Sequence, residues 1–214
     1  MIDSELLVYQ FRVFVRGISP VIWRRLLFRD DQTLADVHHG LQIVLGWSDY
    51  FLHRFLIRGR IYTIPRIWGT DYTHAAQDIS LKSLNLRFNE RFIYEYNFFD
   101  EWQVEIRLEN HLDWNETKTY PLCIGGKRAG PLEDCGGPWT YLALRDEKYH
   151  PIHLLIRFQE IIDEADDDTD FRELIHHEFP NIDYWLTADK FDRRQANNRL
   201  KQYAIGDDEW RQEM

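Results

Sequence analysis

With 214 residues, 44% hydrophobic and 15% aromatic, the chain can build a real core for one large domain, or for one domain with an appendage, and wholesale disorder is excluded. No run approaches the roughly 18 apolar residues of a membrane helix, the opening "MIDSELLVYQ" is unlike a signal peptide, and two cysteines make no disulfide framework, so the expected setting is a reducing cytoplasm. The net charge of −10 is uneven: residues 1–110 carry 13 Lys+Arg against 14 Asp+Glu, and residues 111–214 carry 13 against 22.

"VYQFRVFVRG" alternates, with Tyr9, Phe11, Val13 and Val15 on one side and Gln10, Arg12 and Arg16 on the other, which is a half-buried strand. "GISP" breaks it and "VIWRRLLF" resumes, predicting a hairpin. An acidic chain repels a phosphate backbone unless it carries a local basic stripe. The dense candidate is "RRLLFR", Arg24 to Arg29, expected on a solvated strand face, so direct nucleic-acid binding is disfavoured. "DQTLADVHHGLQIVLGW" then changes period. Thr33 and Asp36 suggest a capping box, Leu34, Val37, Leu41, Val44 and Leu45 form a helical stripe, and Gly46 sits where a left-handed terminator belongs, predicting a helix over 34–45.

Strands return in "FLHRFLIRGRIYTI", reversed at Arg58-Gly59-Arg60. The stretch from Pro65 to Gln77 reads as loop and "ISLKSL" as a short helical turn. "RFIYEYNFFDEWQVEIRLE" predicts another hairpin, with Phe92, Tyr94 and Tyr96 alternating, then Trp102, Val104, Ile106 and Leu108. Strand, strand, helix, strand, strand implies an α+β fold: an antiparallel sheet with a packed helix in β-grasp-like order. "HPIHLLIRFQEIIDEADDD" is helical and ends in an acidic run, "DEADDDTD", expected as a solvated loop. "FRELIHHEF" predicts a short helix. Asp192 as N-cap, with Gln195 three residues on, starts a last helix to about Tyr203. The expected organisation is a core domain over 1–145, a helical extension over 146–205 packed on it, and a frayed tail over 206–214.

"GPLEDCGGPW", Gly130 to Trp139, excludes a helix or central strand by its composition. Gly136 and Gly137 permit positive φ, Pro131 and Pro138 stiffen the ends, and Glu133 and Asp134 can accept backbone amides or pair with Arg24 or Arg25. The favoured reading is a structural clasp, with Gly136, Gly137, Pro138 and Trp139 holding its shape, and Trp139 and Tyr141 buried against the sheet. The rival is a ligand-binding wall with Glu133 or Asp134 as acid or base.

"GISPVIWRRLL", "TLADVHHGLQIVLGW", "LHRFLI", "FIYEYNFFDEWQVEI", "CIGGKRAGPLEDCGGPW" and "KFDRRQANNRL" occur in the order and rough spacing of the plasmid pRiA4b ORF-3-like family, which the chain resembles from Tyr9 to Leu200. The resemblance implies a passenger protein of plasmids or insertion elements, with no established activity; the resolvase label sometimes attached to such proteins finds no support in these residues. It also implies departures. Phe51 stands where relatives have the first histidine of a His-Leu-His, leaving His53. Asn97, Phe98, Phe99, Asp100, Trp102 and Val104 stand where relatives have Asp-Phe-Gly-Asp, then tryptophan, then histidine, so Asn97, Phe99 and Val104 depart from the pattern, and Leu132 replaces a proline.

Cys123 and Cys135, with His38, His53 or Asp100, are the candidate zinc ligands. Zinc needs four ligands in tetrahedral array, signalled by tight pairs such as C-x-x-C; neither cysteine has one, so buried thiols and no stoichiometric metal are expected. His38, at the edge of the helical stripe, reads as a hydrogen-bonded boundary residue, and His53 as half-buried and structural. Adjacent histidines (His38-His39, His176-His177) point about 100° apart on a helix and seldom share an ion. Tyr94, Tyr96, Trp102 and Trp114 read as core rather than a base-stacking platform. No nucleotide-binding, nucleophile-elbow or zinc-protease motif is present. The sequence therefore favours a non-catalytic protein that binds another protein as adaptor or inhibitor. The alternative is a metal-dependent or acid/base hydrolase with His53, Asp100, Glu133 and Asp134 in a cleft between the sheet and the Cys123–Tyr141 loop.

Overall fold

The structure, a computed structural model, describes residues 6–65, 74–148, 150–164 and 168–211. Strands β1 (Leu7–Val15), β2 (Trp23–Arg29), β3 (His53–Ile57), β4 (Arg60–Thr63), β5 (His74–Ala75), β6 (Arg91–Tyr96), β7 (Trp102–Asp113) and β8 (Leu122–Lys127) form one eight-stranded sheet in the order β5-β4-β3-β6-β7-β1-β2-β8. Neighbours are antiparallel except the short parallel pair β4 and β5. The fold is thus mixed α and β around a mostly antiparallel sheet. Residues 7–63 do run strand, strand, helix, strand, strand, but β1 lies between β2 and β7, so the β-grasp comparison extends no further than that linear order.

Alternation decides the two faces. Tyr9, Phe11, Val13 and Val15 of β1, His53, Phe55 and Ile57 of β3, Phe92, Tyr94 and Tyr96 of β6 and Trp102, Val104, Ile106 and Leu108 of β7 are all buried; the apolar ones join the main core with α1 (Leu34–Leu45). On the opposite face charges pair across strands: Arg54 with Glu95 at 2.5 Å, Arg91 with Glu105 at 3.2 Å, and Arg25 with Glu109 at 2.6 Å. The "RRLLFR" arginines are therefore no free basic stripe. Arg25 and Arg29 are engaged by Glu109 and Asp31.

Arg24 corrects the expectation of a solvated face. It is buried; its Nε donates to Val44 O at 2.8 Å, and a terminal nitrogen donates to Trp23 O at 2.8 Å and Lys127 O at 3.1 Å. The guanidinium also stacks 3.7 Å from the Phe191 ring centroid. It thus supplies both a partner and positive charge to the carbonyl end of α1, where the helix dipole is negative. Burial pulls Arg24 down to about 10.

The remaining expectations divide. α1 has the bounds its periodicity gives: Thr33 N donates to Asp36 Oδ2 at 2.6 Å, Asp36 N donates to Thr33 Oγ1 at 3.3 Å, and Gly46 closes the helix at φ 73. The β3–β4 reversal uses Arg58 at φ 49 and Gly59 at φ 75, the paired left-handed geometry that a two-residue hairpin needs. "ISLKSL" holds a 3-10 turn at Lys82–Leu84. Of the expected 65–77 loop, residues 66–73 lie outside the described residues, and His74–Ala75 pair as β5.

Helices α2 (Gly137–Lys148), α3 (Pro151–Glu164), α4 (Asp168–Thr187) and α5 (Arg193–Ala204) follow. The short helix expected at "FRELIHHEF" is a 20-residue one with Pro180 inside it; of the acidic run expected as a loop, Asp163 and Glu164 end α3, Asp168 to Asp170 begin α4, and 165–167 lie outside the described residues. α5 starts as expected, with Gln195 N donating to Asp192 Oδ1 at 2.9 Å. It covers the edge strand β8 through Asn197, which accepts from Cys123 N at 2.8 Å and donates to Cys123 O at 2.9 Å, removing an open edge. The tail is not frayed through 211: Trp210 is buried, and its carbonyl accepts from Arg199 at 2.7 Å. Trp114, expected in the core, is exposed.

Between β8 and α2 the chain presses against the end of α1. A Cβ on Gly130 would overlap the Leu45 carbonyl. Gly130→Ala is expected to lower stability by about 1–3 kcal/mol through overpacking, measured by denaturant unfolding against wild type.

Candidate functional site

Four segments meet at one end of the sheet: the β1–β2 turn, residues 48–52 after α1, the β6–β7 turn over 97–101, and the 130–139 stretch. Glu133 joins three of them. Its carboxylate accepts Ser48 N at 3.0 Å and a hydrogen bond from the Tyr96 hydroxyl, while its carbonyl accepts Trp102 Nε1 at 3.0 Å and Asn97 Nδ2 at 3.3 Å. Trp47 Nε1 donates to Pro131 O at 3.0 Å. Asp100 Oδ2 accepts Cys135 N and Gly136 N, each at 3.0 Å. Gly136 and Gly137 take φ 89 and 82, and a Cβ on Gly137 would overlap Asp100 O. These glycines are needed both for conformation and for close approach.

The stretch binds its neighbours on this inner side, while its outer side differs from the expectation. Gly137 begins α2, with Pro138 in its first turn, where the missing N–H is no loss; the stretch is not helix-free. Trp139, expected to be buried, is 86% exposed, because that first turn points its ring away from the sheet. Tyr141, two residues on, takes the buried place instead. Phe99 is 96% and Tyr50 78% exposed on the adjoining turns, and Leu52 is exposed beside them, its carbonyl accepting Asn97 N at 3.0 Å. A Cβ on Gly17 would come within 3.1 Å of Pro138, and Arg145 donates to Ser19 O, which ties the β1–β2 turn to α2.

The candidate acid/base residues have different partners and surroundings. Asp100 and Glu133 are spent on the clasp, Asp134 is exposed, and His53 lies deeper in the core. Cys123 and Cys135 are free thiols, one in the core and one in the clasp, both raised by burial, Cys135 to about 11. A cavity of about 540 Å³ does lie behind the clasp, lined by Arg24, Gly46, Glu133, Tyr184, Phe191 and Arg199 among others. Its Arg24 and Glu133 are already occupied as described.

A second polar group sits under α1. His38 is fully buried, not at the boundary as expected, and its ring stacks on His53 with centroids 3.7 Å apart. His38 Nδ1 lies 2.8 Å from Tyr94 Oη, Gln42 Nε2 donates to the same oxygen at 2.7 Å, and His38 Nε2 lies 2.8 Å from Asp49 Oδ1. Asp49, at φ 59, donates its N–H to Gln42 Oε1 at 3.1 Å. His39, Asp49, Gln42 and Tyr50 were not single candidates in the sequence. The signal available was the Gly46 terminator, since a left-handed cap turns the next residues back along the helix.

With this geometry in view, the comparisons decide the family. The model of the plasmid pRiA4b ORF-3-like protein family matches residues 7–176. The chain belongs to this family. As a pRiA4b ORF-3-like protein it is 26% identical over 147 residues to the uncharacterized protein y4hQ of Sinorhizobium fredii, spanning 68% of this chain and 75% of that one. It is also similar to the crystal structure of MM3350, a protein of unknown function from Methanosarcina mazei Go1, at TM-score 0.62 and 26% identity, over 89% of this chain and 98% of the other. Among the described residues no helix is long and apolar enough to cross a membrane.

Two expected outcomes test the clasp. Glu133→Gln keeps the shape but loses charge-assisted hydrogen bonds, so stability should fall by about 1–3 kcal/mol; an unmoved unfolding curve would contradict it. Separately, burial raises Tyr9, Tyr96, Tyr141, Tyr184 and Tyr203 above the ordinary value of 10.0. Above pH 10 the unfolded chain releases those protons first, so the stability they contribute, complete below that pH, drains away as pH rises. The lowered Arg24 opposes this, one group against five. Tyrosinate absorbance during an alkaline titration should therefore include a step coincident with unfolding by circular dichroism.

Proposed function

We propose that this pRiA4b ORF-3-like protein is a non-catalytic adaptor or inhibitor, and that the loop end of the sheet is its contact face for a basic segment of another protein. The observation that carries the reading is Trp139, an 86% exposed tryptophan held out by a rigid clasp. Exposed aromatics on pre-ordered loops lose little entropy on binding and are the residues that anchor interfaces. Charge selects the partner. Of the four segments, 48–52, 97–101 and 130–139 hold five carboxylates and no Lys or Arg, and the β1–β2 turn adds one cation, Arg16, which donates to Gln103 Oε1 at 3.0 Å. Two of the five, Glu101 and Asp134, are exposed. Aromatic rings among carboxylates suit arginine, which takes a ring face and a carboxylate together. The plasmid origin in the family's name fits a role in meeting host proteins, by association.

The test is a titration of the protein with an Arg/Lys-rich peptide at low salt, read by tryptophan fluorescence. A saturable change that weakens steeply with salt and at least tenfold in Trp139→Ala is expected, while Trp139→Ala leaves stability within about 0.5 kcal/mol. Equal binding by Trp139→Ala, or equal binding of an Asp/Glu-rich peptide, would sink the assignment.

A further inference from the structure

We infer that His38, His39 and Asp49 form a binding site for one zinc-class divalent cation beside the middle of α1, where Asp49 folds back after the Gly46 cap. Their donor atoms all lie within 4.8 Å of one another, which no other group of three His, Cys, Asp or Glu achieves among the described residues. The two oxygens of Asp49 divide between the imidazoles: Oδ1 is 2.8 Å from His38 Nε2, and Oδ2 is 3.9 Å from His39 Nδ1. Ligands bonded at about 2.0–2.2 Å around a tetrahedral ion stand roughly 3.3–3.6 Å from one another, a spacing that falls between these two separations and is reached by small side-chain shifts. The rule that neighbouring helical histidines diverge is met here by the third ligand, which the Gly46 reversal brings back to where both rings reach it.

The surroundings resemble those that orient metal ligands. With its proton on Nδ1, His38 donates to Tyr94 Oη, leaving the Nε2 lone pair toward Asp49; a hydrogen bond from the far ring nitrogen fixes ligand orientation in this way. In the metal-free chain the 2.8 Å contact between His38 and Asp49 is bridged by a proton on Nε2; when the cation takes that place the neutral ring carries its one proton on Nδ1 instead, toward Tyr94 Oη. Asp49 is held at φ 59 with its N–H on Gln42, a strained backbone position fixed from outside. Two imidazoles and one carboxylate select a borderline first-row ion over magnesium or calcium. His38 and the His39 Nδ1 atom are buried while Asp49 is about one-sixth exposed, so solvent approaches the site on the Asp49 side.

The full chain, freed of metal with a chelator, is titrated with zinc chloride by calorimetry and with cobalt(II) by visible absorption. One ion per chain is expected, with ligand-field bands in the cobalt form. Asp49→Asn, which tolerates the left-handed backbone, and His39→Ala should each weaken binding at least tenfold and remove the bands, while Cys135→Ser changes neither. Circular dichroism checks the fold of each variant, and should His39→Ala misfold, Asp49→Asn decides. No saturable binding by wild type overturns the site. So does unchanged affinity in Asp49→Asn, including binding that instead follows the exposed His150 and His153.

Discussion

The hydrogen bonds of Glu133 are the constraint on which the loop end depends. One residue uses its carboxylate on the backbone after α1 and on Tyr96 of β6, and its carbonyl on the side chains of Trp102 and Asn97. Buried donors such as an indole N–H or a tyrosine hydroxyl are costly to leave unmade, so the chain between β8 and α2 has little freedom to sit elsewhere. Asp100 repeats the device one step further on, holding the amides that precede α2. A segment rich in glycine and proline, which in isolation is flexible in parts and stiff in others, becomes a fixed element because its polar groups complete those of its neighbours.

This rigidity is what makes the exposed aromatics informative. A mobile loop can expose a tryptophan on average without presenting it; here α2 starts immediately at Gly137 and carries Trp139 outward on its first turn while Tyr141 anchors the same turn to Trp185 and Trp102. The inner side of the stretch stabilises the fold, and the outer side is left to solvent.

Much of the fold was legible because it rests on local periodicity and caps. The bounds of α1, the β3–β4 reversal, the 91–109 hairpin and the Asp192 cap all follow from residues within a few positions of each other. What was illegible needed partners distant in sequence. Arg24 looks like its neighbours Arg25 and Arg29 on an alternating strand, yet it alone turns to the carbonyl end of α1 and lies under Phe191, 167 positions away in the chain. Trp139 was misplaced because composition marked the stretch as irregular, while Pro138 at a helix start is as natural as proline in a loop. His38 sits at the margin of the apolar stripe in projection, but β3 and β6 present His53 and Tyr94 there, so the margin is interior. The tail was misjudged for want of knowing that Arg199 would seek the Trp210 carbonyl.

A single turn connects the clasp and the histidine cluster. Gly46, at φ 73, ends α1 and reverses the chain. Trp47 then donates to Pro131, Ser48 donates to Glu133, and Asp49 folds back to His38 and Gln42. Three successive residues thus bind two parts of the structure, the 130–139 stretch and α1, and Tyr50, next in line, is delivered to solvent. Whatever tightens Asp49 against α1 therefore also fixes the start of the segment that carries Tyr50 and Leu52 to the exposed rim. Asp49 of the cluster directly precedes Tyr50 and lies three residues before Leu52, so little backbone separates cluster from rim.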